Sequence, residues 1–202
     1  MKTKTIITGI LLCVGMSACG KAGSTWTDAE KTIINSSREG IMRVLQTDDT
    51  ADSLLLREKS ALLDAADSDS PELGMLIEGM LATVQDTAKT GVGIAAPQVG
   101  ILRRLIIVQR FDKDAHPFEP YINPYITWYS DSLRTGGEGC LSIPDIYGLV
   151  ARSNRIVVEY DKTDGTGRTS DTVSGFTAAI FQHEVDHLDG ILFTDRMSET
   201  VK

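Results

Sequence analysis

The chain is short of the residues that usually build cross-links or bind metals, with three cysteines and three histidines in 202 residues. Cys13 and Cys19 lie close to the start, which leaves Cys140 alone in the remainder and excludes a disulfide framework there. Basic residues are also in deficit, with 20 Lys and Arg against 28 Asp and Glu and a formal net charge of −8. A nucleic-acid surface needs clustered Lys and Arg, so that class of partner is excluded. No apolar run is long enough to span a bilayer, and there is no internal repeat, coiled-coil heptad or long low-complexity tract. What remains is the profile of one soluble domain with a substantial core, expected to be a monomer.

The first residues depart from that profile. Lys2 and Lys4 precede the apolar run Ile6 to Met16, which has the length of a signal-peptide h-region. The run ends in "MSACGKAGST", where small residues stand just before Cys19, and resembles the lipobox after which a bacterial lipoprotein is cut and lipidated on its new N-terminal cysteine. Residues 1–18 therefore read as a lipoprotein-type signal peptide, 19–38 as a flexible polar tether, and 39–202 as a single domain. The protein is then expected in the bacterial cell envelope, touching the membrane only through lipidated Cys19. A cytoplasmic location follows if residues 1–22 are not a working signal.

Farther along, "GIMRVLQTDDTADSLLLREKSALLD" reads as an extended segment and a turn. Ser70 is a candidate N-cap with Pro71 at the first helical position, and Leu73, Leu76, Ile77, Met80, Leu81 and Val84 mark one helical face. "GVGIAAPQVG" (91–100) reads as a glycine-rich turn and "LIIVQ" (105–109) as a buried strand. "YINPYITWYS" has strand character interrupted at Asn123-Pro124. "RIVVEY" (155–160) and Arg168–Val173 form a hairpin about the Asp164-Gly165 turn. A final helix runs from Gly175 to Leu188, with Gly190 as its stop signal.

That helix carries "FQHEVDHLDG" (181–190), in which His183, Glu184 and His187 spell H-E-x-x-H, a pattern that presents two imidazoles to one metal ion. Phe176, Ala179, Ile180, His183, Glu184 and His187 share one stripe, so the polar side chains prolong an apolar face, a costly arrangement unless something satisfies them. The third ligand must come from elsewhere. In the zinc-protease extension H-E-x-x-H-x-x-G-x-x-H, Gly190 is present but the last position is Phe193, which cannot bind metal. The form completed by a glutamate on a following helix has only Glu199 to offer. His116 sits in "DKDAHPFEP", a charged stretch with the look of an exposed loop. Cys140, in "GGEGCLSIPD", reads alone as an inert buried thiol. With H-E-x-x-H it completes a tetrahedral S-N-N site with one position open, and these donors suit zinc.

Taken together and in order, "GVGIAAPQVG", "EGCLS" and "QHEVDHLDG" resemble the three signature motifs of the peptide deformylases. The resemblance covers roughly residues 40 to 197, including "INP" before the second motif and "LVARSNRI" after it. The family's D-P-x-L-R near the start appears here only as "DSLLLR". The resemblance implies an α+β fold, with antiparallel β-sheets packed around a C-terminal helix carrying H-E-x-x-H. It also implies a metal-dependent enzyme that hydrolyses the N-formyl group from N-formylmethionyl peptides and releases formate. Cys140, His183 and His187 would hold one divalent ion, Fe²⁺ by resemblance, with Zn²⁺, Ni²⁺ or Co²⁺ as substitutes.

Glu184, about 100° round the helix from His183, lies beside the ion rather than on it and suits general base and then general acid work. The resemblance assigns oxyanion stabilisation to the Gln98 side-chain amide and the Leu141 backbone N–H. Gly91 and Gly93 leave room for a substrate backbone, while Val92, Phe176, Ala179 and Ile180 offer an apolar slot for the methionine side chain. Glu138 and Arg152 fill positions that the family also fills with charges, and are expected to brace the Cys140 loop as an ion pair. Two other readings are a metallopeptidase or other amide hydrolase on the same site, and a non-catalytic envelope lipoprotein that binds formylated peptides.

Overall fold

The computed structural model describes residues 25–36 and 40–201. The expected signal segment, Cys13 and Cys19 lie outside the described residues. The elements in chain order are α1 (Asp28–Ser36), α2 (Thr50–Leu55), α3 (Pro71–Val84), β1 (Gly93–Ala95), β2 (Leu105–Gln109), β3 (Phe118–Tyr129), β4 (Leu133–Cys140), β5 (Ile143–Ser153), β6 (Arg155–Asp161), β7 (Arg168–Ser174), α4 (Gly175–Leu188) and β8 (Glu199–Val201). All strand pairs are antiparallel. β1-β2-β3-β6-β7 form one sheet and β4-β5-β8 the other. This is the expected α+β arrangement, with α4 packed against strands of both sheets.

Local chemistry accounts for the elements that the sequence announces. Ser70 caps α3 by accepting the Leu73 N–H at 3.2 Å, and Pro71 occupies the first turn, where its missing N–H costs nothing. Leu73, Leu76, Met80 and Val84 are buried, with Ile77 and Leu81 at the edge of the same face. The unbroken apolar run of β2 is explained by cover on both sides. Leu105 and Ile107 enter the cluster under α3, while Ile106 and Val108 enter the cluster around α4.

Several expectations need correction. Residues 25–36, read as part of a tether, instead include a helix packed on α3. Thr27 and Glu30 cap it reciprocally, the Thr27 N–H donating to the Glu30 carboxylate at 2.8 Å and the Glu30 N–H to the Thr27 hydroxyl at 3.2 Å. Ile34 is fully buried, worth about 2 kcal/mol, and Glu30 pairs with Arg103 at 2.6 Å. The segment read as extended with a turn also holds α2, capped by the Asp49 carboxylate. The 91–100 stretch is less a turn than strand β1 followed by a short 3₁₀ helix, Ala96–Val99.

β3 does not stop at Asn123-Pro124 but runs through them with a register shift. Asn123 adopts φ +50° and its side chain bonds the Leu63 backbone and Asp161, which holds the bulge. The β4–β5 hairpin was not foreseen. Its first arm, "LRTGGEGC", is glycine-rich and largely exposed and lacks an alternating apolar signal. Gly139 is extended, and a side chain there would meet the Tyr147 ring.

Finally, α4 is not simply striped. Ala178, Phe181, Gln182 and Val185 are buried as well as Ala179, Ile180, Glu184 and His187, because the helix lies between the two sheets, whereas Phe176 is 42% exposed.

Gly190 ends that helix at φ +72°, and a Cβ there would overlap the Arg57 carbonyl. Gly165 has a similar φ of +68° but only a distant neighbour, Ser68 Oγ at 3.7 Å. Gly165→Ala should therefore cost about 1 kcal/mol from backbone strain alone. Gly190→Ala should cost about 3 kcal/mol or more, because backbone must also move. Urea midpoints measure both, and equal shifts would contradict the close approach at Gly190.

Candidate metal centre

Helix geometry puts His183 and His187 one turn apart on α4, with ring centroids 5.0 Å apart. Cys140 arrives from the other sheet as the last residue of β4. Its Sγ lies 3.2 Å from His187 Nε2, and the ligand atoms of Cys140, His183 and His187 all fall within 4.8 Å of one another. Among the described residues this is the one such cluster of potential ligands. His116 is not part of it and packs at a tilt against Phe111 instead, with ring centroids 5.1 Å apart. Glu199 is taken up in β8 opposite Leu149. Phe193 forms a wall, its ring stacked on that of His183 at 6.0 Å.

His183 Nδ1 bonds the Glu138 carboxylate at 2.9 Å, which leaves Nε2 for the cluster. The expected Glu138–Arg152 pair is present at 2.9 and 3.0 Å, but it belongs to a longer chain of charges that leads from the interior to the surface. Arg152 also reaches Asp186 at 2.5 Å, and Asp186 is clasped by Arg196 at 2.6 and 2.7 Å. Burial alone would raise the Glu138 pKa, but its bonds from Arg152 and His183 outweigh that and hold it at about 2. Glu138 therefore stays ionised and orients His183. Burial likewise pushes the His183 imidazole down, and the Cys140 and Glu138 bonds overcome it, so its pKa rises well above the ordinary value. Burial and the neighbouring His183 push His187 well below.

Glu184 is 4% exposed, and burial raises its pKa to about 7. Its Oε2 has no hydrogen-bond partner, and neither has His187 Nδ1. A buried, unpartnered carboxylate oxygen beside three converging soft and borderline donors fits a site for a divalent cation and its solvent.

Gln98 is 2% exposed. Its Oε1 accepts the Ala95 N–H at 2.9 Å, and its Nε2 points into the centre, 3.4 Å from Cys140 Sγ and 3.2 Å from Ser142 Oγ. Leu141 follows Cys140 at the tip of the β4–β5 hairpin.

A cleft of about 630 Å³ opens onto these groups, and Gly91, Val92, Gly93, Phe176, Ala179 and Ile180 all line it. The glycines have a tighter reason than the one expected. A Cβ on Gly93 would lie 2.5 Å from Glu184 Oε1, and one on Gly91 would press on Val84 and Leu141. Gly93 thus makes room for the carboxylate itself.

Two buried polar residues escaped the sequence reading. Gln182 staples α4 to β5 by bonding both the N–H and the carbonyl of Ser153, and Asp186 anchors Arg152. A signal existed for both, since each is a polar residue between an apolar residue and a histidine of the motif, but only a helix buried on nearly every side makes it readable.

Comparison with known proteins agrees with this geometry. The family model described as polypeptide deformylase matches residues 41–202. Peptide deformylase 2 of Nostoc sp. is 42% identical over 153 residues, which make up 72% of this chain and 82% of that protein. Among solved structures, an actinonin-bound class I type b peptide deformylase from Acinetobacter baumannii superposes with a TM-score of 0.69 at 37% identity. The match covers 79% of this chain and 99% of that one. A Met-Ala-Ser-bound structure from the same organism gives 0.69 at 36%, covering 78% and 98%. The peptide deformylase of Thermotoga maritima gives 0.68 at 34%, covering 79% and 99%. With the family model spanning most of the sequence and relatives well above 30% identity, the chain belongs to the polypeptide deformylase family.

Proposed function

We propose that the chain is a metal-dependent hydrolase that removes the N-formyl group from N-formylmethionyl peptides, working in the bacterial cell envelope from a lipid anchor at Cys19. The observation that carries the reaction is the buried Glu184 carboxylate, with one oxygen unpartnered, beside the convergent Cys140, His183 and His187 donors. Those three residues would hold one divalent ion. Fe²⁺ is the choice by family resemblance, and Zn²⁺, Ni²⁺ or Co²⁺ suit the same donors. When bound, such an ion supplies Lewis acidity and makes water a nucleophile near neutral pH.

The chain's own groups do the rest. Glu184 takes the proton from the attacking water and returns it to the leaving amine, and a carboxyl with a pKa near 7 is matched to both transfers. Gln98 Nε2, its amide fixed by Ala95, donates to the developing oxyanion together with the Leu141 N–H. Phe176, Ala179, Ile180 and Val92 line the slot for the methionine side chain, and Gly91 and Gly93 border the same cleft where the substrate backbone would lie. Glu138 and Arg152 keep His183 oriented. The Phe193 ring on His183 argues against a zinc protease, which would need a ligand at that position. A binding protein would have no use for an ionisable base at the centre.

The test is release of formate from formyl-Met-Ala-Ser by the metal-loaded protein. Glu184→Ala should retain its metal and lose on the order of 10²-fold or more in kcat, while Cys140→Ala should lose metal and activity together. An active Glu184→Ala protein would remove the proposed mechanism, and cleavage of unformylated peptides would favour a peptidase. Glu138→Gln should weaken metal affinity about 10- to 100-fold, and unchanged metal content under competition with a chelator would refute the bracing role. For the anchor, the full chain expressed in a bacterium should partition with membranes and carry diacylglyceryl on Cys19 by mass spectrometry. Cys19→Ala should appear in the soluble fraction. Wild type that is soluble and unmodified would rule the anchor out.

A further inference from the structure

Gln46 lies in the irregular segment before α2, half-buried, at the wall of the cleft. Its side-chain Nε2 donates to the Leu141 carbonyl at 2.8 Å. The residues on either side reach the same place: the Leu45 N–H donates to the Gln98 carbonyl at 2.8 Å and the Thr47 N–H to the Ser142 carbonyl at 2.9 Å. One short segment is thus bonded to both residues assigned to the oxyanion.

The need for such a clamp follows from the hairpin. Cys140 pairs with Ile143, so Leu141 and Ser142 form a two-residue tip outside the ladder. A tip of that kind is held only by what contacts it from outside. Here the polar contacts from outside are Gln46 on Leu141, Thr47 on Ser142, and Gln98 on the Ser142 hydroxyl at 3.2 Å. Gln46 is itself fixed from behind. Its N–H donates to the Asp52 carboxylate at 2.9 Å, and Asp52 is clasped by Arg43 at 2.7 and 3.0 Å. Gln46 and Leu141 also both line a second cavity of about 440 Å³ beside the cleft, so their hydrogen bond stands in the partition between two open spaces. The Leu141 side chain is seated against the apolar cluster under α3, which anchors the tip at one point and leaves its backbone carbonyl to Gln46.

We infer that Gln46 is a positioning residue for deformylation, which by holding the Leu141 carbonyl sets the tilt of the hairpin tip and so the direction of the Leu141 N–H. The inference rests on the reading of that N–H as an oxyanion donor. Preorganised donors work only when they are aimed before charge develops, and a displacement of about 1 Å can cost on the order of 10²-fold. Gln46 does not touch the reacting atoms, so its loss should misdirect the donor rather than remove it.

Gln46→Met keeps the length of the side chain without the donor, and Gln46→His restores an N–H of similar reach. With formyl-Met-Ala-Ser and the metal-loaded full chain, Gln46→Met should lower kcat about tenfold with KM within about twofold and metal content unchanged, the signature of an interaction made in the transition state. Gln46→His should recover most of that loss. In zinc-loaded protein, Gln46→Met should also shift the Leu141 and Ser142 backbone amide resonances and speed hydrogen exchange at Leu141. Unchanged kcat in Gln46→Met, equal losses in both variants, or activity that falls in step with metal content would overturn the inference. A wild type that releases no formate would remove the deformylase reading instead, and the resonances would still decide whether Gln46 holds the tip.

Discussion

The centre depends on bringing a sulfur from a hairpin in one sheet to two imidazoles on a helix packed against both, and on keeping it there. The device is a chain of alternating charge that runs from largely buried Glu138 through Arg152 and Asp186 to Arg196 at the surface, with His183 bonded to its inner end. Glu138 lies in β4, Arg152 in β5, and His183 and Asp186 in α4, so the chain ties the Cys140 hairpin to the helix at the level of the ligands. Buried ion pairs are poor sources of net stability, since desolvation consumes most of what attraction returns. Their value here is directional. With both oxygens of Glu138 occupied by Arg152 and one of them shared with His183, the imidazole has one orientation available, and Nε2 faces the cluster.

The same constraint explains why α4 is buried on nearly every side. A helix with one wet face could carry H-E-x-x-H, but its carboxylate would be hydrated and its pKa ordinary. Enclosing α4 between the sheets keeps Glu184 in a dry setting that raises its pKa to about 7, where it can both accept and release a proton. Gly93 completes the enclosure by leaving the space that a side chain would take from Glu184. Apolar packing above and below, with Ile106, Val108, Phe181 and Val185 in one cluster and Ile143, Leu192 and Phe193 in another, sustains the burial.

The sequence exposed those parts of the molecule whose chemistry is local. Helix α3 was legible from its Ser70-Pro71 start and its apolar spacing, β2 from its run, the β6–β7 hairpin from Asp164-Gly165, and α4 to its final residue. The three ligands were legible because few side chains bind metal and the other candidates could be eliminated. What stayed hidden depends on contacts between distant segments. β4 has no alternating pattern to announce it, since its partner strand and Tyr147 decide its shape. The Asn123 bulge reads as a break until Leu63 and Asp161 are seen holding it. Helix α1 is the instructive miss. Its Thr27-x-x-Glu30 cap was visible, but the polar composition around it suggested a tether, and only the burial of Trp26 and Ile34 shows that it docks.

The central claim is that Cys140, His183 and His187 bind one divalent ion together and leave a place for solvent. X-ray absorption at the metal edge of the loaded protein tests it most directly. With zinc loaded, one sulfur at about 2.3 Å and two nitrogens at about 2.0–2.1 Å are expected, with a remaining light oxygen scatterer. A shell without sulfur, or one closed by a fourth protein side chain, would contradict it.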